Sequence, residues 1–465
     1  MLAELLVEDT IAAIATPLGE GGLAVIRISG PKTLSVADRC FWPAGQKSPK
    51  PSEAQSHTLH FGHVVCNGEK VDEVLLAVMR APRTFTREDV VEITCHGGLL
   101  AAKTVLDTVL GSGARLAEPG EFTRRAFLNG RIDLAQAEAV LDLIHSRTEL
   151  SLRAAQEQLA GKLSQRINSL RDNMLESQAH IEAHIDFPDE DIAPDSREHM
   201  IERLEAGVAF MDELLRTANE GQILRRGIRV AIIGRPNAGK SSLLNQLLGH
   251  DRAIVSAIPG TTRDTIEETA NVRGLPVVFI DTAGLREARD EIEVEGVRRS
   301  RQSLQRAEFI LHVLDGSEPL DEVDLACQQE FKDKKRIIVV NKSDLGLRFD
   351  SQSFTSSESN SAVVRVSCLT GDGIEQLKEA IKTLAWSGEI KAEMLEVMIN
   401  SRHQDALNRA REATLRAIET LRANAPLELP AFDLRVAVNA IGEIVGKTTT
   451  EDLLDVVFSQ FCIGK

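Results

Sequence analysis

At 465 residues the chain is long enough for about three domains. Apolar residues make up 43% and charged residues 27%, an ordinary globular composition that excludes a disordered, collagenous or fibrous chain. The 70 acids against 54 bases leave a formal net charge of −16, so any contact with a phosphate backbone has to be local.

No near-apolar run approaches the roughly 20 residues of a membrane span. The start, Met1 to Asp9, is acidic and lacks a basic region, so a cytoplasmic, untargeted protein is expected. Cys40, Cys66, Cys95, Cys327, Cys368 and Cys462 are scattered without metal-ligand spacing, which points to reduced thiols. The absence of tyrosine argues against an RNA-stacking platform.

Over residues 1–120, short β-branched runs at 10–15, 23–29, 59–65, 73–78 and 90–94 alternate with glycine-rich turns, and a helix is expected at 99–110. This reads as an α+β domain. From 121 to 218 the apolar spacing becomes three and four residues, predicting helices at 124–127, 134–144, 150–185 and 196–219, with a break at 187–195. Residues 141–220 hold 17 acids and 8 bases, net −9, a poor nucleic-acid clamp. Strands expected at 229–233, 277–280, 309–314, 337–340 and 363–366 alternate with helices, giving a doubly wound, mainly parallel α/β domain over 219–385. Helical spacing resumes over 386–465, at 393–422 and then to 461 after a break at 424–430, so the α/β domain is inserted into a discontinuous helical domain. The polar stretch 350–361 reads as a surface loop.

Gly234-Arg235-Pro236-Asn237-Ala238-Gly239-Lys240-Ser241 fits G-x-x-x-x-G-K-[ST] between an expected strand and an expected helix. In that context the amides around Ala238 and Gly239 cradle phosphates, Lys240 pairs with the β/γ-phosphates, and Ser241, followed by Ser242, ligates Mg²⁺. Asp281-Thr282-Ala283-Gly284 ends an apolar strand and can reach Mg²⁺ through water. Asn341-Lys342-Ser343-Asp344 ends another, and the Asp344 carboxylate can accept two N–H bonds from a guanine edge that adenine lacks. Ser367 follows the last strand, where a base-closing loop belongs. In this order, 227–384 resembles the P-loop GTPases of the translation-factor class. Leu285 stands where Ras-like enzymes carry their water-orienting glutamine and cannot hydrogen-bond water. Thr262 is the switch-I Mg²⁺ ligand, and Asn237 offers a side-chain oxygen near the β/γ bridge, suggesting a monovalent cation.

The whole chain resembles the tRNA-modification GTPase family MnmE (TrmE). The resemblance rests on the segments 21–30, 85–98, 119–123 and 129–138, on Asp186-Phe187-Pro188, on the inserted GTPase domain and on the terminal Phe461-Cys462-Ile463-Gly464-Lys465. It implies a K⁺ site at Asn237, Ser256, Ile258 and Thr261, the last with Ser256 also beside GTP, and Glu293 as the water-orienting residue. Arg263, Asp264 and Arg286 fall on switch positions that matter to family activity, Arg286 among the catalytic candidates. A 5-formyl-tetrahydrofolate-type one-carbon donor is implied at Arg27, Glu92, Arg131 and Lys465. Arg27 and Glu92 can equally be a structural ion pair inside apolar strands, and Cys462 a nucleophile or a small apolar contact. His96 reads as a structural histidine bonded to a turn. The resemblance further implies homodimerisation through 1–120, GTPase domains that dimerise across the nucleotide, a flavin-carrying MnmG (GidA)-type partner in a heterotetramer or larger complex, and chemistry at carbon 5 of the wobble uridine of certain tRNAs. The rival reading is a ribosome-assembly GTPase that binds RNA without covalent chemistry.

Overall fold

Two-residue alternation in the first domain builds a seven-stranded sheet in the computed structural model. The strands are β1 (Ile11–Ile14), β2 (Leu23–Ser29), β3 (Phe41–Pro43), β4 (Thr58–Cys66), β5 (Glu69–Met79), β6 (Val90–His96) and β7 (Arg115–Leu116), in the order β3-β4-β5-β6-β2-β1-β7. On β2, Ala24, Ile26 and Ile28 are buried while Val25 and Arg27 reach the other face. The buried face packs beneath the helices Thr33–Cys40 and Leu99–Gly111 around Val36, Val91, Ile93 and Val105. The three-residue β3, the two-residue β7 and the helix Thr33–Cys40 were not expected, the two strands because neither is long enough for a period to show.

The described residues are 9–45, 48–186, 197–249, 267–280, 306–331, 334–349, 361–386 and 395–465. They divide into two units, Met1–Leu141 with Ser164–Ala179 and Ala431–Lys465, and Asp142–Leu163 with His180–Pro430. In the first unit the helix Glu121–Leu128 packs against Glu451–Phe458, and Phe127, Leu134, Leu454, Phe458 and Phe461 share one core. Arg125, only 3% exposed, is held by Asp9 (2.6 Å), Glu121 (2.8 Å) and Glu88 (3.2 Å), and Arg115 shares Asp9 and Glu121.

In the second unit β8 (Ile228–Ile233), β9 (Glu268–Val272), β10 (Leu275–Ile280), β11 (Phe309–Asp315), β12 (Arg336–Asn341) and β13 (Ser361–Arg365) form a sheet in the order β13-β12-β11-β8-β10-β9. All neighbours pair in parallel except the edge strand β9, which was not foreseen and runs antiparallel to β10. β10, β11 and β12 are buried throughout, the signature of a sheet covered on both faces. Arg197–Arg216 packs along Ser401–Arg422, with Arg411 donating to Asp212 at 2.6 Å.

Three helical expectations are corrected. The stretch 150–185 is two helices, Glu149–Leu159 and Lys162–Asp186, parted at Gly161, whose φ of 87° is left-handed. The stretch 196–219 is likewise Arg197–Arg216 followed by Ala218–Arg226. Of the stretch 393–422, the described residues form the helix Ser401–Arg422, opened by a reciprocal cap of Asn400 and His403, and the last segment is Glu428–Val445 and Glu451–Phe458 around Gly446.

Candidate functional site

The nucleotide-binding motifs gather at the carboxyl ends of β8, β11 and β12, where ligands of open α/β sheets bind. The phosphate loop follows β8 and opens the helix Lys240–Leu248, whose first amides have no acceptor within the helix. Asn237 adopts φ 65°, a left-handed conformation that asparagine tolerates, so the backbone itself accounts for part of this residue choice. Lys240 Nζ donates to the carbonyls of Gly234 and Arg235, both at 2.8 Å, which holds the loop curled over its own ammonium. Asn237, Ser241 and Ser242 are exposed, while Ala238 is fully buried and anchors the loop.

The base-reading motif interlocks with that loop. Asn341 is 2% exposed; its Nδ2 donates to the Ala238 carbonyl at 2.9 Å, and its Oδ1 accepts from Cys368 N at 3.2 Å. A Cβ at Gly239 would collide with Asn341 Nδ2, so glycine is required there by a neighbour as well as by its φ of 94°. Ser367 is buried, donates its amide to Asp372 O at 2.9 Å and accepts from Thr370 N at 3.2 Å. Burial lifts the Cys368 thiol to about 11, so this cysteine stays a neutral member of the closing loop. Asp344 sits in the short turn Ser343–Leu345 with an exposed carboxylate, as a base-edge acceptor requires.

Two residues that sequence reasoning passed over complete the site. Asp315, 3% exposed, grips Lys342 Nζ at 2.6 Å, and Arg235 meets Glu318 at 3.1 Å and Asp321 at 3.4 Å. The available signal was an aspartate ending an apolar strand, the feature that marks Asp281. Ser256, Ile258, Thr261, Thr262, Arg263, Asp264, Asp281, Thr282, Ala283, Gly284, Leu285, Arg286 and Glu293 lie outside the described residues.

A second cluster occupies the open face of the seven-stranded sheet. Pairing β2 with β6 sets Arg27 opposite Glu92, and Arg27 Nε donates to Glu92 Oε1 at 2.8 Å. The pleat turns both side chains away from the apolar core, and the pair is partly exposed, at 20% and 30%. The chain's end reaches the same pair, where Gly464 O accepts from Arg27 Nη1 at 3.2 Å. A bridge between Pro119 and Ile463 guides this tail, and Gly120 N donates to the Cys462 carbonyl at 3.4 Å. Burial lowers the Lys465 pKa, with the Arg27 charge adding to it. Phe122 lies 5.7 Å from the Arg27 guanidinium and Phe85 4.9 Å from that of Arg131, and both rings pack around Ile11 and Ala13. The four basic and acidic candidates are therefore brought to one small aromatic cluster. Cys462 is exposed, so the apolar-contact alternative does not describe it. His96 departs from a turn-bonded histidine, because its main-chain N and its Nδ1 both meet Asp72, at 2.9 and 2.7 Å, and that hydrogen bond raises its pKa.

Phosphate loop, Asn-Lys-x-Asp motif and a doubly wound sheet define a P-loop protein built for a guanine nucleotide. Residues 134–462 match the MnmE helical domain family, and residues 10–131 match the family of the GTP-binding protein TrmE N-terminus. The tRNA modification GTPase MnmE of Geobacillus kaustophilus is 48% identical over 460 residues, spanning 98% of this chain and 99% of its own length. Those of Bacillus velezensis and Bacillus subtilis are 46% and 45% identical over 460 residues, each spanning 98% of this chain and all of their own. The chain belongs to the MnmE family of tRNA modification GTPases. Among the described residues no helix is long and apolar enough to cross a membrane.

Proposed function

We propose that this chain is a K⁺-activated, Mg²⁺-dependent GTP hydrolase which, with a flavin-carrying MnmG (GidA)-type partner, modifies carbon 5 of the wobble uridine of certain tRNAs in the cytoplasm. The observation that carries the GTP reading is the Asn341 side chain, which joins the phosphate loop to the base-closing loop through Ala238 and Cys368. Ser241 and Thr262 hold Mg²⁺, with Asp281 reaching it through water. Asn237, Ser256, Ile258 and Thr261 hold K⁺, and Glu293 orients the attacking water, with Arg286 in switch II.

The open sheet face supports a folate-type donor. One carboxylate, three basic side chains and two rings in one place match a ligand with an N–H-rich heterocycle, an aromatic spacer and a carboxylate tail. When bound, the folate supplies a one-carbon unit, while Arg27, Glu92, Arg131 and Lys465 bind and orient it. Cys462, exposed and two residues before the Gly464 carbonyl that accepts from Arg27, takes part in the modification. Homodimerisation through 1–120 is supported by exposed Trp42, Leu59, Phe61 and Leu75, which the strand registers set on the same face as Arg27.

The decisive test is nucleoside analysis of tRNA from a strain lacking the chain, complemented with wild type or Asp344→Asn. Loss of the C5 substituent from wobble uridine, restored only by wild type, is the expected result. Fully modified tRNA in the deletion strain would leave the ribosome-assembly reading in its place.

A further inference from the structure

The strand order puts β11 between β8, which leads into the phosphate loop, and β12, which leads into the base-reading motif. The segment that follows this middle strand is therefore flanked by both nucleotide loops, and its side chains reach each of them. Asp315 closes β11 in register with Asn341. Its Oδ1 accepts from Ser317 N at 3.0 Å and Ser317 Oγ at 2.6 Å, which turns Oδ2 toward Lys342 Nζ at 2.6 Å. Burial alone would raise the Asp315 pKa, but the Lys342 and Ser317 hydrogen bonds outweigh it and leave the carboxylate below its ordinary value. Lys342 itself sits at φ 60°, a left-handed conformation that a lysine keeps only when its surroundings impose it.

On the other side, Arg235 of the phosphate loop is 12% exposed and meets Glu318 at 3.1 Å, Asp321 at 3.4 Å and Asp324 at 3.8 Å. Asp324 is 2% exposed, and its amide donates to Asp321 Oδ1 at 2.9 Å, so the start of the helix Glu322–Glu330 is knitted into the same group. With three carboxylates within 4 Å, the Arg235 charge is compensated inside this group and ties the phosphate loop to the segment after β11.

We propose that residues 315–324 are a positioning element for guanine nucleotide binding, in which Asp315 orients Lys342 and the acidic group of Glu318, Asp321 and Asp324 holds the phosphate loop through Arg235. The proposal rests on GTP occupying the site described above. Without the brace, both loops have to be ordered when nucleotide binds, which weakens affinity without touching the chemical step at saturation.

The test uses the full chain. GDP binding by isothermal titration, steady-state GTP hydrolysis and nucleotide-free melting are measured for wild type, Asp315→Asn, Asp315→Glu, Lys342→Met, the Asp315→Asn/Lys342→Met double variant and Arg235→Met. Asp315→Asn is expected to weaken GDP and raise KM about tenfold, the order seen when a close charge pair loses one member. Its kcat and nucleotide-free melting temperature are expected to stay near wild type, Asp315→Glu to recover most of the affinity, and the double variant to be no weaker than the worse single one. Arg235→Met is expected to raise KM in the same way through the other arm, which keeps the test alive should Asp315→Asn not fold. Wild-type affinity in Asp315→Asn or Arg235→Met, additive losses in the double variant, or a lowered melting temperature with kcat falling in step would overturn the proposal. No GDP binding by wild type would overturn the nucleotide assignment instead.

Discussion

The nucleotide site and the open sheet face are built in opposite ways. At the nucleotide site the functional side chains hold one another before any ligand arrives: Asn341 joins two loops, Asp315 holds Lys342, and Lys240 is bonded to the carbonyls of its own loop. On the sheet face, Arg27 and Glu92 neutralise each other, and the tail bearing Lys465 completes the group from the far end of the chain. A site of the first kind binds with little reorganisation. A site of the second kind has to exchange an ion pair for ligand contacts, so its affinity depends on how closely the ligand replaces that pair.

The largest expected effect lies in the hydrolytic step. Replacing KCl by NaCl at equal ionic strength should slow GTP turnover by about 10³ to 10⁵, the scale of the arginine finger whose role a K⁺ ion would take. Asn237→Gly is the informative variant, because it tolerates the left-handed backbone at φ 65° while removing the carboxamide, whereas alanine would strain the loop as well. Equal rates in the two salts for wild type would remove the cation mechanism. Glu293→Ala should lower kcat with little change in GTP affinity, as for an interaction made mainly in the transition state.

Next in size is Asp344→Asn, expected to weaken GTP by about 10² to 10³ through loss of two charge-assisted hydrogen bonds, and to admit xanthine nucleotides. Competition binding with GDP and xanthosine diphosphate measures it, and an unchanged guanine preference would remove the base assignment. Arg27→Ala should weaken 5-formyl-tetrahydrofolate by about 10² or more while GTP hydrolysis continues, since the ligand loses a charged partner. Full-strength folate binding would make Arg27–Glu92 a structural pair only.

How much of this was legible follows from the same contrast. The phosphate loop and the Asn-Lys-x-Asp motif are contiguous, so each could be read from a few neighbouring residues and the strand before it. Arg27, Glu92, Arg131 and Lys465 are collected from four distant segments by strand pairing and by the chain's end, and only family resemblance linked them. Long apolar strands such as β11 and β12 were legible because a fully buried strand is continuously apolar. β9, with Glu268, Thr269 and Asn271 among its five residues, carries no such run and owes its place to pairing with β10. The helix break at Gly161 was missed because one glycine in a helical period reads as tolerated.

The smallest expected effect is on stability in acid. For Asp9 and Glu121, burial works toward a higher pKa, but hydrogen bonds from Arg115 and Arg125 outweigh it and leave both below their ordinary values. Their contribution is complete above the unfolded values near 4 and is lost as pH falls through the lower folded values. The melting temperature should therefore decline below about pH 4, and Arg125→Met should remove much of that slope. An unaltered acid slope in Arg125→Met would show that this group does not set it.

If the two separately built sites serve one product, the wobble-uridine content of tRNA in a deletion strain carrying Arg27→Ala reads it out. The tRNA from this strain is expected to lack the C5 modification although the purified variant hydrolyses GTP at nearly the wild-type rate. Fully modified tRNA from the Arg27→Ala strain would contradict it and leave the sheet face without a part in the chemistry.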